Sequence, residues 1–229
     1  MDFIIISVGN EILSGDISNT NAAYMAKKLT KLGHKVKKIT TIPDDVDIIA
    51  EEVRKASEDA DFVLVTGGLG ATHDDVTAEG IAKAFGKKLV ISREVYDWLS
   101  KLSRNEEAVR KISSVPEGSE IIWNDVGAAP AFIVENVAVM PGVPAEMENT
   151  FGKILERFEK GSYYEDTVRI EGFEVKIVDK LNRVVEQFPD VQIGSYPKSG
   201  YVLVKFSGSD EKRVKEAIKK FEELVNAKG

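Results

Sequence analysis

Short runs of β-branched and other apolar residues alternate with longer amphipathic segments through the first third of this chain. The runs at 3–8, 35–41 and 62–65 predict strands, and the segments between them carry apolar residues at helical spacing. Strands that alternate with helices form βαβ units and a mostly parallel sheet. The sequence therefore predicts an α/β fold with a mostly parallel sheet, in which the run at 62–65 is typical of a strand buried on both faces.

The chain is predicted to form two domains, residues 1–160 and 164–229, on either side of Lys160-Gly161-Ser162. A length of 229 residues permits one ordinary domain and a small one. In the first domain, the runs at 121–123, 131–134 and 137–140 predict further strands, and Pro144 opens a helix. The second domain has the pattern β-α-β-β-α, which predicts a small α+β domain.

Composition excludes several classes of site and partner. The chain has no cysteine and only two histidines, so disulfides, thiolate nucleophiles and zinc fingers are excluded, and any metal must be held mainly by oxygen. The net charge of −7 argues against a nucleic-acid partner. No apolar run approaches the roughly 18–20 residues of a membrane span, so no membrane partner is expected, and we expect a cytoplasmic protein.

Four unusual loops follow predicted strands. They are Gly9–Asp16, Pro43–Asp45, Gly67–Thr77 and Pro141–Pro144. In an open parallel sheet, ligands bind beyond the carboxyl ends of the strands. If the sheet is parallel at these strands, the four loops converge on one edge.

The loop after the third strand carries three glycines in four residues, Gly67-Gly68-Leu69-Gly70. Glycine permits positive φ and a close approach of the backbone to a ligand. Backbone N–H groups in such a loop, beside a helix N-terminus, form an anion site. The loop lacks the Gly-Lys-Ser/Thr of a Walker A motif and the third glycine of the dinucleotide fingerprint. It predicts phosphate binding, with a purely structural strand-to-helix turn as the alternative.

Asp74 and Asp75 stand beside this predicted anion site, and a divalent cation would reconcile carboxylate with phosphate. Alternatively, either aspartate caps the following helix. Glu11 and either Asp44 or Asp45 would add acidic groups at the same edge, as metal ligands, general bases or ribose-hydroxyl acceptors, or would serve as caps. His73 is a candidate general base or a solvated turn residue.

Four motifs occur in order along the first domain. They are Gly9-Asn10-Glu11-Ile12-Leu13-Ser14-Gly15 with Asn19-Thr20-Asn21, then Pro43-Asp44-Asp45, then Thr66-Gly67-Gly68-Leu69-Gly70-Ala71-Thr72-His73-Asp74-Asp75-Val76-Thr77, and Met140-Pro141-Gly142-Val143-Pro144-Ala145-Glu146-Met147. Taken together, these motifs resemble the N-terminal region of the competence/damage-inducible protein A (CinA) family. That family shares the molybdopterin-binding fold, a three-layer α/β/α sandwich, and residues 164–229 resemble the small domain that follows it.

The resemblance implies metal-dependent hydrolysis of the pyrophosphate of ADP-ribose-like nucleotides, which gives AMP and a sugar phosphate. It implies a divalent cofactor (Mg²⁺, Mn²⁺ or Co²⁺) and a homodimer or other homo-oligomer. The expected catalytic residues are Asp75, Asp74 and Asp44, and the expected metal ligands are Asp74, Asp75 and Glu11. The expected substrate-binding residues are Gly9, Glu11, Gly15, Asn21, Gly67, Gly68, Gly70, Thr72, Thr77, Pro141 and Gly142.

Two positions depart from the family pattern, because Asn10 and Asn19 stand where the family usually has aspartate. If either aspartate binds metal or sugar, the activity of this chain is altered. One alternative is a module that binds molybdopterin or an adenylylated pterin without hydrolysis. Another is a regulatory protein whose site has decayed.

Overall fold

The computed structural model describes residues 1–226, which form two compact units. The first unit comprises Met1–Leu29 with His34–Glu159, and the second comprises Thr30–Gly33 with the chain from Lys160 onward. The predicted second domain extends to residue 229, so its residues 227–229 lie outside the described part of the chain.

The first unit contains strands β1–β8 and helices α1–α7. In chain order these are β1 (Asp2–Val8), α1 (Asn10–Leu13), α2 (Thr20–Lys31, whose last residues group with the second unit), β2 (Lys35–Ile42), α3 (Val46–Asp59), β3 (Phe62–Thr66), α4 (Thr77–Ala84), β4 (Leu89–Ile91), α5 (Arg93–Leu102), α6 (Glu106–Ser113), β5 (Ser114–Pro116), β6 (Glu120–Ile122), β7 (Ala131–Val134), β8 (Val137–Met140) and α7 (Pro144–Leu155).

A six-stranded sheet in the order β2-β1-β3-β8-β7-β6 forms the centre of this unit. Strands β2, β1, β3 and β8 are parallel, with Ile6 opposite Val65 and Thr66 opposite Met140. Strands β7 and β6 are antiparallel additions at one edge. The parallel register brings the carboxyl ends of β1, β3 and β8 to the same edge of the sheet.

Successive residues of the buried strands point to opposite faces of the sheet, so each strand contributes to two apolar cores. In β1, Ile4 and Ile6 pack with the α3 and α4 side chains, whereas Phe3 and Ile5 pack on the other face with those of α2 and α7. A strand covered on both faces favours apolar residues at successive positions, which explains the run Phe3–Ile6 within β1. The result is the predicted three-layer α/β/α sandwich.

The second unit is an antiparallel sheet with helices. Its elements are β9 (Tyr164–Glu171), a short 3₁₀ helix (Glu174–Lys176), α8 (Val178–Gln187), β10 (Gln192–Pro197), β11 (Tyr201–Gly208) and α9 (Glu211–Asn226). The strand order is β10-β11-β9. Val184 of α8 and Phe221 of α9 pack with Val204 and Phe206 of β11 in a core of their own.

The predicted fold class is confirmed, and the structure adds elements that the sequence pattern missed. Helix α1 spans only four residues, and β4 and β5 span three residues each and pair with one another rather than with the central sheet. Segments this short show no period. The sequence places His34 in a Gly-His turn before a strand, which predicts a surface residue. In the structure His34 is only 8% exposed; it packs against Phe3 and Phe158, and its burial lowers the pKa of its imidazole.

Within residues 1–226, no helix combines the length and apolar character needed to cross a membrane.

Two helical glycines predict opposite effects of the same substitution. A Cβ at Gly80 of α4 would lie 2.5 Å from Cγ2 of Ile49, whereas a Cβ at Gly152 of α7 would meet nothing within 4 Å. We expect Gly80→Ala to lower the free energy of unfolding by about 1–3 kcal/mol through overpacking. Gly152→Ala should raise it by about 0.5–1 kcal/mol by removing backbone freedom. Urea denaturation measures both, and equal effects would contradict the packing of α3 on α4.

Candidate functional site

A cavity of about 540 Å³ opens at the carboxyl edge of β1, β3 and β8. Its wall combines the segments after all three strands with the loop before α2. The site residues predicted from sequence that line it are Glu11, Asn21, Gly67, Gly68, Gly70, Asp75, Pro141 and Gly142. The predicted residues Gly9, Gly15, Asp44, Thr72, Asp74 and Thr77 are not part of the wall.

The glycines of the third-strand loop are required by close backbone contacts. A Cβ at Gly67 would lie 2.1 Å from the carbonyl oxygen of Val8, and a Cβ at Gly68 would lie 2.2 Å from Oγ1 of Thr77. Both glycines have positive φ, 107° and 66°. Among the described residues, the backbone N–H groups of Gly68, Leu69 and Gly70 have no hydrogen-bond partner. The loop therefore presents three free donors beside the start of α4, which suits an anion.

A tight turn follows these glycines and is tied by Asp75. The Asp75 carboxylate accepts a hydrogen bond from the Thr72 N–H at 2.8 Å and lies 2.5 Å from the Thr72 hydroxyl. Lys111 of α6 donates to the carbonyl of Thr72. Asp74 is exposed, and its pKa is lowered chiefly by a hydrogen bond with the Thr72 hydroxyl. His73 is also exposed, with its side chain 98% accessible.

The acidic residues of the first two loops have local structural partners. Asp44 accepts a hydrogen bond from the N–H of Asn10 at 2.8 Å, which ties the second loop to the start of α1. Asp45 caps α3, accepting from the N–H groups of Asp47 and Ile48. A Cβ at Gly9 would meet the Glu11 carboxylate at 2.5 Å.

Asn21 and Thr66 join the loops after β3 and β8 inside the cavity. The Thr66 hydroxyl donates to the carbonyl of Pro141 at 2.8 Å. The Asn21 amide donates to the Thr66 hydroxyl at 3.2 Å and to the carbonyl of Gly142 at 2.8 Å. Asn21 is only 9% exposed. This network fixes the relative positions of Pro141, Gly142 and the glycine loop.

The two asparagines that depart from the family pattern act differently. Asn19 accepts from the N–H of Ala22 at 3.1 Å, which caps α2, and its amide donates to the Ser7 hydroxyl at 2.9 Å. It also lines the cavity. Asn10 contacts the site region through its backbone N–H, which donates a hydrogen bond to the Asp44 carboxylate.

The loop at 124–129 is a part of the wall that the sequence analysis did not identify. Ala128, Ala129 and Glu146 line the cavity. Asn124 donates to the Glu146 carboxylate at 2.8 Å and to the Ala129 carbonyl at 2.9 Å, which holds the loop against α7. The only sequence signal was the presence of Glu146 in the fourth motif, because a contact between residues 22 positions apart has no local pattern.

The acidic side chains do not gather into a metal-binding set. The described residues contain no group of three or more His, Cys, Asp or Glu side chains suited to hold a metal ion. Glu11 and Asp75 line the cavity and Asp74 does not. The predicted ligand set therefore does not fit a metal as arranged, and the divalent cofactor stays a prediction.

Comparison with known families assigns both units. Residues 4–160 match the family model described as "Probable molybdopterin binding domain". Residues 162–229 match the model described as "FAD synthase, middle domain".

Similar proteins extend this assignment over the chain. A protein from Archaeoglobus fulgidus is 83% identical to this chain over 228 residues, and the alignment covers 100% of both chains. A CinA-like protein from Thermosipho melanesiensis is 36% identical over 97% of this chain, which spans 58% of that protein. CinA from Thermoplasma acidophilum, known from a crystal structure, is 37% identical in sequence to this chain. The two structures superpose with a TM-score of 0.64 over 68% of this chain and 96% of that one.

The fold and the matches define a protein with a molybdopterin-binding-type domain. The chain belongs to the CinA family. The expected ADP-ribose pyrophosphohydrolase activity is wrong, because the matching families are a molybdopterin-binding domain and an FAD synthase middle domain, and neither description supports that reaction. The findings favour the alternative, a module that binds a pterin or nucleotide.

The turn geometry predicts different consequences for the two neighbouring aspartates. Asp75→Ala removes the acceptor of the Thr72 N–H, so amide hydrogen exchange at Thr72 should become about 10-fold faster or more, as expected for loss of a charged hydrogen bond. Asp74→Ala serves as the matched control and should leave that rate unchanged within about twofold. Exchange followed by NMR provides the measurement, and equal acceleration in both variants would show that Asp75 does not hold the turn.

Proposed function

We propose that this chain binds a phosphorylated pterin, free or linked to a nucleotide, and leaves it intact. The observation that carries the proposal is the set of three unpartnered backbone N–H groups at Gly68, Leu69 and Gly70 on the cavity wall. Backbone donors beside a helix N-terminus bind phosphate without needing a basic side chain. None of the described lining residues is Lys, Arg or His, so these donors are the phosphate subsite.

The rest of the wall suits a flat polar heterocycle. The cavity volume of about 540 Å³ falls in the range of roughly 300–1,000 Å³ that holds small organic ligands. Apolar side chains from three different segments, Ile12, Ile17 and Ile112, contribute to its wall. Polar side chains at Asn21 and Glu146 supply groups that orient a heterocycle.

The family descriptions support the same class of ligand. The model that matches residues 4–160 names molybdopterin, which is a pterin phosphate. The model that matches residues 162–229 names FAD synthase, an enzyme of a nucleotide cofactor. The first description thus supports a pterin phosphate, and the second supports a ligand linked to a nucleotide.

A homodimer or other homo-oligomer is part of the proposal, on the basis of the family resemblance. Light scattering coupled to size exclusion measures the mass directly, and a monomer of 25.2 kDa would refute this point. The cytoplasmic location stays a prediction from the lack of cysteine.

Calorimetric titration of the purified chain with molybdopterin, handled anaerobically, tests the binding. Gly68→Ala should weaken binding by about 10-fold or more, because the new methyl group meets Thr77 and displaces the loop donors. Gly86→Ala is the matched control: Gly86 has a similar positive φ of 61°, lies in open space and should retain the affinity.

The fate of the ligand provides the second half of this test. Chromatography of the titrated mixtures, with ADP-ribose and FAD in parallel and with Mg²⁺, Mn²⁺ or Co²⁺ added, should show the ligands unchanged. Release of AMP would overturn the proposal of binding without hydrolysis. Absence of binding by the folded chain would overturn the proposed ligand class.

A further inference from the structure

We infer that Glu146 hydrogen-bonds the amino-pyrimidinone edge of the ligand, the ring N–H with its adjacent amino group. This inference rests on the proposed function and names the part of the ligand that one side chain recognises. Pterins and guanine nucleotides share this edge.

Glu146 is a carboxylate on the cavity wall without a cationic partner. It is partly buried in the first turn of α7, and no Lys, Arg or His of the described residues pairs with it. The neighbouring acids are paired, since Asp125 lies 2.7 Å from Lys153 and Glu120 pairs with Arg157. A partly buried carboxylate loses solvation, and donors from a ligand restore it.

The orientation of Glu146 is fixed by the loop at 124–129. Asn124 donates to Oε2 of Glu146 at 2.8 Å, while the Asn124 side-chain oxygen accepts from the N–H groups of Val126 and Gly127. A Cβ at Gly127 would lie 2.0 Å from Cδ of Glu146, so this loop packs on the carboxylate only because residue 127 is glycine. A carboxylate oxygen accepts more than one hydrogen bond, so capacity remains on both oxygens.

The other two carboxylates on the wall are less suited to this role. Oδ2 of Asp75 accepts two hydrogen bonds, from the N–H and the hydroxyl of Thr72, so this carboxylate holds the turn. Glu11 is exposed and lies close to Gly9, in the four-residue helix α1. Glu146 is therefore the partly buried wall carboxylate that accepts a single described hydrogen bond and does not hold a backbone turn.

The geometry of a carboxylate selects a particular ligand edge. Its two oxygens accept two parallel N–H bonds, as in bidentate arginine pairs. The amino-pyrimidinone ring offers such a pair of donors. Adenine offers one donor beside a ring nitrogen lone pair, and lumazine, the pterin analogue with a carbonyl in place of the amino group, places an oxygen against the carboxylate.

Ligand pairs test the inference on the unaltered chain. Calorimetry should show 6-hydroxymethylpterin monophosphate binding about 10- to 100-fold more tightly than the matched lumazine phosphate, the range expected for one charged hydrogen bond. GMP should likewise bind more tightly than AMP, and comparison of the pterin phosphate with GMP identifies which source of this edge the cavity prefers.

Substitution of the carboxylate should remove this discrimination. Glu146→Gln keeps the size of the side chain and an acceptor for Asn124, and should reduce the pterin-to-lumazine affinity ratio to about 1. Glu148→Gln, an exposed change in the same helix, is the matched control and should keep the ratio of the unaltered chain. Thermal unfolding of each variant confirms that the fold is retained.

Two results would overturn the inference in different ways. If the unaltered chain binds the pterin and lumazine phosphates equally, or AMP as tightly as GMP, the role of Glu146 is refuted while the proposed function stands. If neither phosphate binds, the proposed function fails and the inference fails with it.

Discussion

The absence of a side chain at Gly67 is the constraint on which the site depends. A Cβ there would lie 2.1 Å from the carbonyl oxygen of Val8, and the Gly67 N–H donates to the carbonyl of Met140 at 3.1 Å. Gly142 is also close, since its Cβ would lie 3.3 Å from Cα of Gly67. The ends of β1, β3 and β8 therefore meet at one point, and any larger residue would separate them. The cavity exists because these loops leave their strands in such close contact.

Acidic residues at this edge divide into two physical roles. Asp44 and Asp45 hold helix starts, and Oδ2 of Asp75 accepts two hydrogen bonds that hold the turn after the glycines, so these carboxylates support the local backbone. Glu146 accepts one hydrogen bond from Asn124 and lines the cavity, and no described Lys, Arg or His side chain pairs with it. A count of carboxylates near a predicted phosphate site suggests a metal, whereas the hydrogen bonds show that most of these groups support the backbone.

Sequence periodicity predicted the mostly parallel α/β sheet, because β1 and β3 are buried on both faces and the helices between them are amphipathic. The family resemblance added the three-layer arrangement. Periodicity also placed the glycine loop at the carboxyl edge of the sheet, because parallel pairing brings the segments that follow the strands to the same edge. The partners of individual carboxylates could not be predicted, because they depend on which N–H the fold brings within about 3 Å. Burial of His34 was missed for the same reason: its neighbour Phe158 is distant in sequence. The family resemblance implied an ADP-ribose hydrolase, which the family matches do not support; they favour a module that binds a pterin or nucleotide.

The composition of the cavity wall has a consequence for how binding responds to salt. Three carboxylates line the cavity, no Lys, Arg or His is among its described lining residues, and the whole chain carries a net charge of −7. An anionic ligand therefore approaches against the surrounding field and is held by short-range donors once it arrives. Dissolved ions screen the long-range repulsion over about 8–10 Å at physiological ionic strength and affect the buried contacts less. Association should consequently become faster as ionic strength rises, the reverse of the behaviour of proteins that attract phosphates with basic clefts.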